Sequence, residues 1–120
     1  MASCKVYKNP VEFVGHVEQE GGYYNIYWGW ANFVGRVEQE GGYYTVFQAG
    51  FQSVGRIRLE SEIYKVYRGW THFVGHLRRE GGHYKVYEGM TDLIGSVELE
   101  DTTQTHPLLL SGGAALLLLL

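Results

Sequence analysis

The chain has little cysteine and no long apolar run, and both absences limit what it can be. Its 120 residues contain a single cysteine, Cys4, which excludes an internal disulfide framework and predicts a reducing, cytoplasmic compartment. No apolar stretch precedes the first strand-like run, so a secretory signal is not expected. The apolar C-terminal segment has thirteen residues, whereas a helix needs about twenty to span a bilayer. We therefore do not expect this segment to be a membrane anchor.

Helical spacing and catalytic motifs are absent as well. Before residue 102 no apolar residues recur with three-four spacing, which predicts an all-β repeat region. No Ser-His-Asp set, phosphate-cradling loop or metalloprotease helix can be read. The net charge of −3 argues against a surface devoted to nucleic acid. The sequence thus predicts a protein that is not an enzyme and that uses no cofactor or metal.

A period of twenty residues dominates what is present, and it runs through five copies. Such a period is typical of a small unit that cannot bury its own apolar face and packs against its neighbours. Two columns do not vary: Gly15, Gly35, Gly55, Gly75 and Gly95, and Glu20, Glu40, Glu60, Glu80 and Glu100. The unit therefore predicts one repetitive domain.

Two short strand-like runs in each copy alternate polar and apolar residues. A two-residue turn at 21–22 places Val17 opposite Ile26, and a four-residue loop at 29–32 places Ile26 opposite Gly35. Both pairings assign the same residues to the same face. The predicted core face holds Tyr24, Ile26, Phe33, Gly35 and Val37, and the outer face holds Asn25, Tyr27, Val34, Arg36, Glu38 and Glu40. The glycine column then lies where a side chain would crowd the core.

Five hairpins give ten strands in one meander. A single sheet of that length would leave its apolar face in water, so we expect it to close or curl into a barrel-like or flower-like ring, with residues 3–8 meeting residues 93–99. The predicted divisions are a five-repeat β domain (1–101), a polar connector (102–107) and an apolar tail (108–120) that begins at Leu108 and ends at Leu120. The tail is expected to dock on the repeats or to join subunits, with a disordered terminus as the alternative.

One stretch of the chain resembles a known family. Lys65-Val66-Tyr67 followed by Phe73-Val74-Gly75-His76-Leu77 is similar to the unit of small bacterial repeat proteins described as β-flowers or β-fans. The resemblance extends over residues 4–100 and concerns architecture. It implies a hairpin-repeat fold, no agreed activity and no functional residues.

The predicted register brings like charges together on the outer face of copies three and four. Arg58 faces Lys65, and Arg78 faces Lys85, an arrangement that destabilises a sheet. The same face also carries Arg56, Tyr67 and Tyr87. This face is suited to phosphate, carboxylate or single-stranded nucleic acid, or else its cations pair with Glu60 and Glu80.

Three tryptophans, Trp28, Trp30 and Trp70, fall in or beside the four-residue loops. Exposed aromatic rings on a rigid β scaffold often bind sugars, and the alternative is that they cap the barrel or contact a partner subunit. The predicted function is a non-enzymatic scaffold for binding or structural assembly. The alternatives are a carbohydrate-binding module that uses these tryptophans, and an anion or nucleic-acid binder that uses the basic face.

Overall fold

A computed structural model describes residues 2–9, 11–50, 52–100 and 106–120. It contains ten strands followed by one helix. In chain order these are β1 (Ser3–Lys8), β2 (Glu12–Glu20), β3 (Tyr23–Trp28), β4 (Asn32–Glu40), β5 (Tyr43–Gln48), β6 (Ser53–Glu60), β7 (Ile63–Arg68), β8 (His72–Glu80), β9 (His83–Glu88), β10 (Asp92–Leu99) and α1 (Pro107–Leu118). The all-β prediction for the repeats is confirmed, and the tail adds a helix.

The ten strands form one antiparallel meander that closes into a barrel. Closure occurs between β1 and β10, where Val6 lies opposite Val97. The predicted pairings hold on both sides of β3: Val17 faces Ile26, and Ile26 faces Gly35. Closure removes both sheet edges, which would otherwise present unpaired backbone groups.

A β-bulge corrects the predicted loop and one of the predicted faces. The connection after β3 is one residue shorter than expected, because Trp28 pairs with Asn32, and the extra residue lies inside β4 at Val34. Tyr27 therefore lies opposite Phe33, which places Phe33 on the outer face, while Val34 packs against the core. The prediction had these two residues on the opposite faces. The same register shift recurs in every copy.

The helix α1 fills the barrel. Residues 109–116 are buried on every side of the helix, and the helix packs against strands all round the ring. A helix that is apolar on all its faces is stable only when it is surrounded. The tail thus docks internally, as one prediction had it. Leu109, Leu110 and Leu116 are buried in the lumen of their own barrel.

The five constant glycines lie against the C-terminal end of this helix and the residues that follow it. A Cβ atom on any of them would collide with a backbone carbonyl of the neighbouring strand and with a leucine methyl group of the tail. Each glycine meets a different leucine: Gly15 meets Leu116, Gly95 meets Leu117, Gly75 meets Leu118, Gly55 meets Leu119 and Gly35 meets Leu120. The crowding expected at this column is therefore confirmed, and its cause is both the next strand and the tail.

The other end of the helix lies near the column in which four copies carry tyrosine. Tyr64 is buried there, and Tyr24, Tyr44 and Tyr84 pack against the same core. At the remaining position of this column the residue is Cys4, which is fully buried. Its thiol donates a hydrogen bond to the carbonyl oxygen of Leu109 at 3.5 Å. Burial raises the pKa of the Cys4 thiol, which makes it a packing residue and a poor nucleophile.

Candidate functional site

The outer face repeats a small stacking unit around the barrel. In the first copy His16 stacks on Tyr27 with ring centroids 4.7 Å apart, and its Nδ1 donates to the carbonyl oxygen of Gly29 at 2.9 Å. His76 and Tyr87 form the same unit at 4.9 Å, and Nδ1 of His76 donates to the carbonyl of Gly89. In these two copies a histidine thus anchors the loop that follows the aromatic strand.

In the first of these units Trp30 also stacks on the neighbouring rings. Its ring lies on Phe13 with a centroid distance of 4.5 Å and also contacts His16 at 5.1 Å. The Lys5 ammonium lies 5.9 Å from the centroid of the Trp30 ring, and 64% of the residue is exposed. Phe13 therefore fills the space between this tryptophan and the barrel.

Trp70 occupies the equivalent place two copies later, but the residue beneath it differs. The spacing from Phe13 to Trp30 is the spacing from Ser53 to Trp70, so a serine stands where the first copy has a phenylalanine. A cavity of about 230 Å³ remains under Trp70 and is lined by Ser53. We call it the Trp70 cleft, and its main lining residues are Glu40, Tyr43, Thr45, Ser53, Arg56 and Trp70.

Two aromatic rings and one guanidinium define the wall of the cleft. Arg56 lies 4.4 Å from the Trp70 ring and 5.0 Å from the Tyr43 ring, and the two rings meet edge to face at 5.9 Å. The arginine also donates from Nε and Nη2 to the carbonyl oxygen of Trp70, at 3.1 and 2.6 Å. These contacts hold Trp70 in place although 65% of it is exposed.

The remaining groups of the cleft are polar. The hydroxyl of Thr45 donates to Oε1 of Glu40, which leaves further acceptor positions on that carboxylate. Ser53 contributes an exposed hydroxyl. Aromatic faces beside a few convergent polar groups are the usual composition of a small-molecule site. The volume lies slightly below the roughly 300–1,000 Å³ of such sites, which suits one ring rather than a chain of rings.

The predicted like-charge pairs form as expected, but each is bridged by a glutamate. Arg58 faces Lys65, and Glu60 lies 3.7 and 3.4 Å from their nitrogens. Arg78 faces Lys85, and Glu80 lies 2.7 and 3.6 Å away. The alternative of pairing with Glu60 and Glu80 is thus the arrangement found, and it leaves each cluster with one net positive charge.

Glu80 is the more tightly held of the two carboxylates. The hydroxyl of Tyr87 donates to it, and this bond together with Arg78 lowers the pKa of Glu80 to about 2. The hydrogen bond between Arg78 and Glu80 also raises the pKa of the Arg78 guanidinium. Both side chains are charged at neutral pH and neutralise one another, so this part of the surface is a weak attractor for an anion.

The other predicted site residues lie apart from the cleft. Trp28 is the last residue of β3, directly beside the loop, and packs against the core. Tyr67 packs edge to face on Phe73 at 5.9 Å, and Tyr87 lies under His76 and Arg78. Of the predicted residues, the cleft brings together Arg56 and Trp70.

A larger groove lies elsewhere on the barrel. It has a volume of about 520 Å³ and is lined by Tyr7, Arg79, His83, Ser96 and Glu98, among others. Ser96 again replaces the His or Arg of the other copies. The part of its lining that the structure describes contains no tryptophan, so it lacks the exposed stacking surface of the Trp70 cleft.

Sequence reasoning missed Glu40, Tyr43, Thr45 and Ser53. A signal was present, because position 53 departs from the phenylalanine at 13, 33 and 73. This departure could be interpreted only when the fold placed position 53 beneath Trp70, which lies in the turn between β7 and β8.

Three further observations complete the description. Over residues 2–9, 11–50, 52–100 and 106–120, no group of three or more His, Cys, Asp or Glu side chains is placed to hold a metal ion. In the same ranges, no helix combines the length and the apolar run that crossing a membrane requires. Comparison with protein-family models, with curated proteins and with solved structures gives no match. The resemblance to β-flower proteins therefore stays a prediction.

Proposed function

We propose that this barrel is a non-enzymatic binding protein that holds a saccharide ring in the Trp70 cleft. The observation that carries the proposal is the exchange of phenylalanine for Ser53 beneath an exposed tryptophan. An indole face packs well against the C–H face of a pyranose, and the hydroxyl and carboxylate groups below it accept and donate the sugar's hydrogen bonds. A cytoplasmic location is part of the proposal and is supported by the single, buried cysteine.

The rigidity of the site favours binding over catalysis. Trp70 and Arg56 are held by two hydrogen bonds to a backbone carbonyl on a closed barrel, so little side-chain freedom is lost when a ligand enters. The thiol of Cys4 is buried inside the barrel, so it is not available as a nucleophile in the cleft. The cleft thus offers surfaces for recognition.

The test is calorimetric titration of the full chain with glucose, galactose, mannose and N-acetylglucosamine, after a glycan array has ranked longer ligands. Ser53→Phe restores the phenylalanine of the other copies and should fill the cleft without disturbing the barrel. We expect it to weaken binding about tenfold or more, as blocking a stacked contact does. Trp70→Ala should have a similar effect.

Trp30→Ala is the matched control, because Trp30 is equally exposed but stands on Phe13 with no cleft beneath it. This variant should bind as the parent does. Unchanged affinity in Ser53→Phe, or the absence of any sugar that binds, would refute the proposal.

The second candidate, an anion or nucleic-acid binder, is less well supported. Its cations at positions 58, 65, 78 and 85 are bridged by Glu60 and Glu80, which would repel a polyanion. Binding of a single-stranded oligonucleotide that falls steeply as salt rises would favour this candidate instead.

A further inference from the structure

Arg56 differs from the basic residues at the same position of the first two copies in what lies beside it. In the first copy His16 is 3.3 Å from Glu18, and in the second Arg36 is 2.8 Å from Glu38. In the third copy the residue two places after Arg56 is Arg58, which lies beside Glu60. Within the described part of the chain, no carboxylate lies within 4 Å of the Arg56 guanidinium.

The guanidinium is nevertheless held in a fixed position. Two of its five N–H donors point to the carbonyl oxygen of Trp70, and its plane lies beside two aromatic rings. The donors on Nη1 and the second donor on Nη2 remain for a ligand. A planar, preorganised guanidinium matches a carboxylate better than any other side chain does.

Glu40 gives the cleft a second, opposite charge. No lysine, arginine or histidine of the described residues lies within 4 Å of its carboxylate, which accepts a hydrogen bond from the hydroxyl of Thr45. A carboxylate of this kind accepts hydrogen bonds from sugar hydroxyls but repels a ligand that is negative at every edge. The cleft therefore has one end for an anion and one end for hydroxyl groups.

We propose that the preferred ligand of the Trp70 cleft is a uronic acid, a sugar ring that carries one carboxylate. This inference rests on the proposed function, and it adds the charge of the ligand and its orientation. The ligand's carboxylate lies on Arg56, its ring lies on Trp70, and its hydroxyl groups face Glu40 and Ser53. A neutral hexose would leave the Arg56 donors without a partner, and a nucleic acid would meet the repulsion of Glu40.

The experiment compares three ligands on the unchanged protein by calorimetry: galacturonate, its methyl ester and galactose. The ester keeps the shape and removes the charge. Galacturonate should bind about tenfold or more tightly than either neutral ligand, as expected when a hydrogen bond to a charged group is gained. The difference should shrink as sodium chloride is raised, because the ion pair is solvent-exposed.

Two arginine variants locate the effect. Arg56→Gln should abolish the preference for galacturonate over its ester, whereas Arg58→Gln, which removes the neighbouring charge beside Glu60, should retain it. A preference that survives in Arg56→Gln, or one that Arg58→Gln removes equally, overturns the inference.

The ligand comparison keeps the inference testable even if Arg56→Gln displaces Trp70. Equal affinity for galacturonate, ester and galactose overturns the uronic acid preference and leaves the saccharide proposal standing. Binding of none of the three, together with a silent glycan array, overturns both.

Discussion

Replacing Gly113 by alanine would place a methyl group against Val97 inside the barrel. The added Cβ would lie 2.6 Å from Cγ2 of Val97 and 3.0 Å from Cγ1, well inside the roughly 3.5–4.0 Å of ordinary carbon contacts. Val97 is buried in β10, and its branched side chain has little freedom to rotate away. The barrel wall and the helix must therefore move apart, or one of them must distort.

Two effects of opposite sign set the size of this change. Alanine in place of glycine in a helix interior stabilises by about 0.8–1.0 kcal/mol. Overpacking of a filled core costs about 1–3 kcal/mol. We expect Gly113→Ala to lower the free energy of unfolding by about 1 kcal/mol, although the same exchange on an exposed helix would raise it.

Gly112→Ala is the matched control, one residue away in the same helix. Its Cβ would approach Val17 at 3.0 and 3.1 Å and Val37 at 3.4 Å, a milder crowding that the helix propensity gain of about 1 kcal/mol roughly offsets. Urea unfolding followed by circular dichroism compares the two variants at equal m-value. If Gly113→Ala proves as stable as Gly112→Ala or the parent, the helix does not fill the lumen as described.

Three further outcomes follow from the interior. Truncation after Thr105 removes the helix that fills the barrel, so we expect the β signal in circular dichroism to weaken or vanish. A truncated chain with parental thermal stability would contradict the structure. Ser111→Ala should leave the free energy of unfolding unchanged or raise it by about 1 kcal/mol, since the buried Ser111 hydroxyl has no hydrogen-bond partner among the described residues; a clear loss in urea titration would reveal one. Burial raises the pKa of Tyr64 to about 12, above its unfolded value near 10, so its contribution is complete below pH 10 and is lost as the pH rises through 12. Tyr64→Phe should therefore reduce the loss of stability between pH 10 and 12, and an unchanged alkaline profile would argue against this assignment.

The register of the barrel could be predicted because two turns constrained it independently. The Gly-Gly turn at 21–22 and the loop after Trp28 both oppose Ile26 to residues of one face. The bulge at Val34 could not be separated from a longer loop, because one extra residue before Gly35 gives the same pairing at Ile26 in either place. The local error exchanged the faces of Phe33 and Val34 and left the rest of the core intact.

The packing of the tail, unlike the register, could not be predicted from the sequence in detail. Its apolar character predicted burial, but the meaning of Ser111, Gly112 and Gly113 depends on valines far away in the chain. In isolation two adjacent glycines lower helix propensity. Only the diameter of a closed ten-strand ring explains why small residues occupy the middle of this helix.

The candidate site was predicted in parts. Trp70 and Arg56 were named from exposure and charge, and the structure brings them together with two hydrogen bonds. Trp28 lies beside its loop, as the sequence indicated, but it packs against the core and not in the cleft. The cleft itself depends on Ser53 in a column that has phenylalanine in three other copies, and this visible departure could not be interpreted until the neighbours in space were known.

The match between five consecutive leucines and five glycines limits how this protein can change in length. Tandem units are readily gained or lost by duplication, and in open solenoids an added unit finds the same surroundings as its neighbours. Here each of the leucines at 116–120 already meets one of the five glycines, so a sixth unit would widen the ring and add a glycine outside this pairing, while loss of one unit would leave a leucine without a glycine to meet. The number of repeats is therefore tied to the number of tail leucines that meet the glycines, and one cannot change without the other.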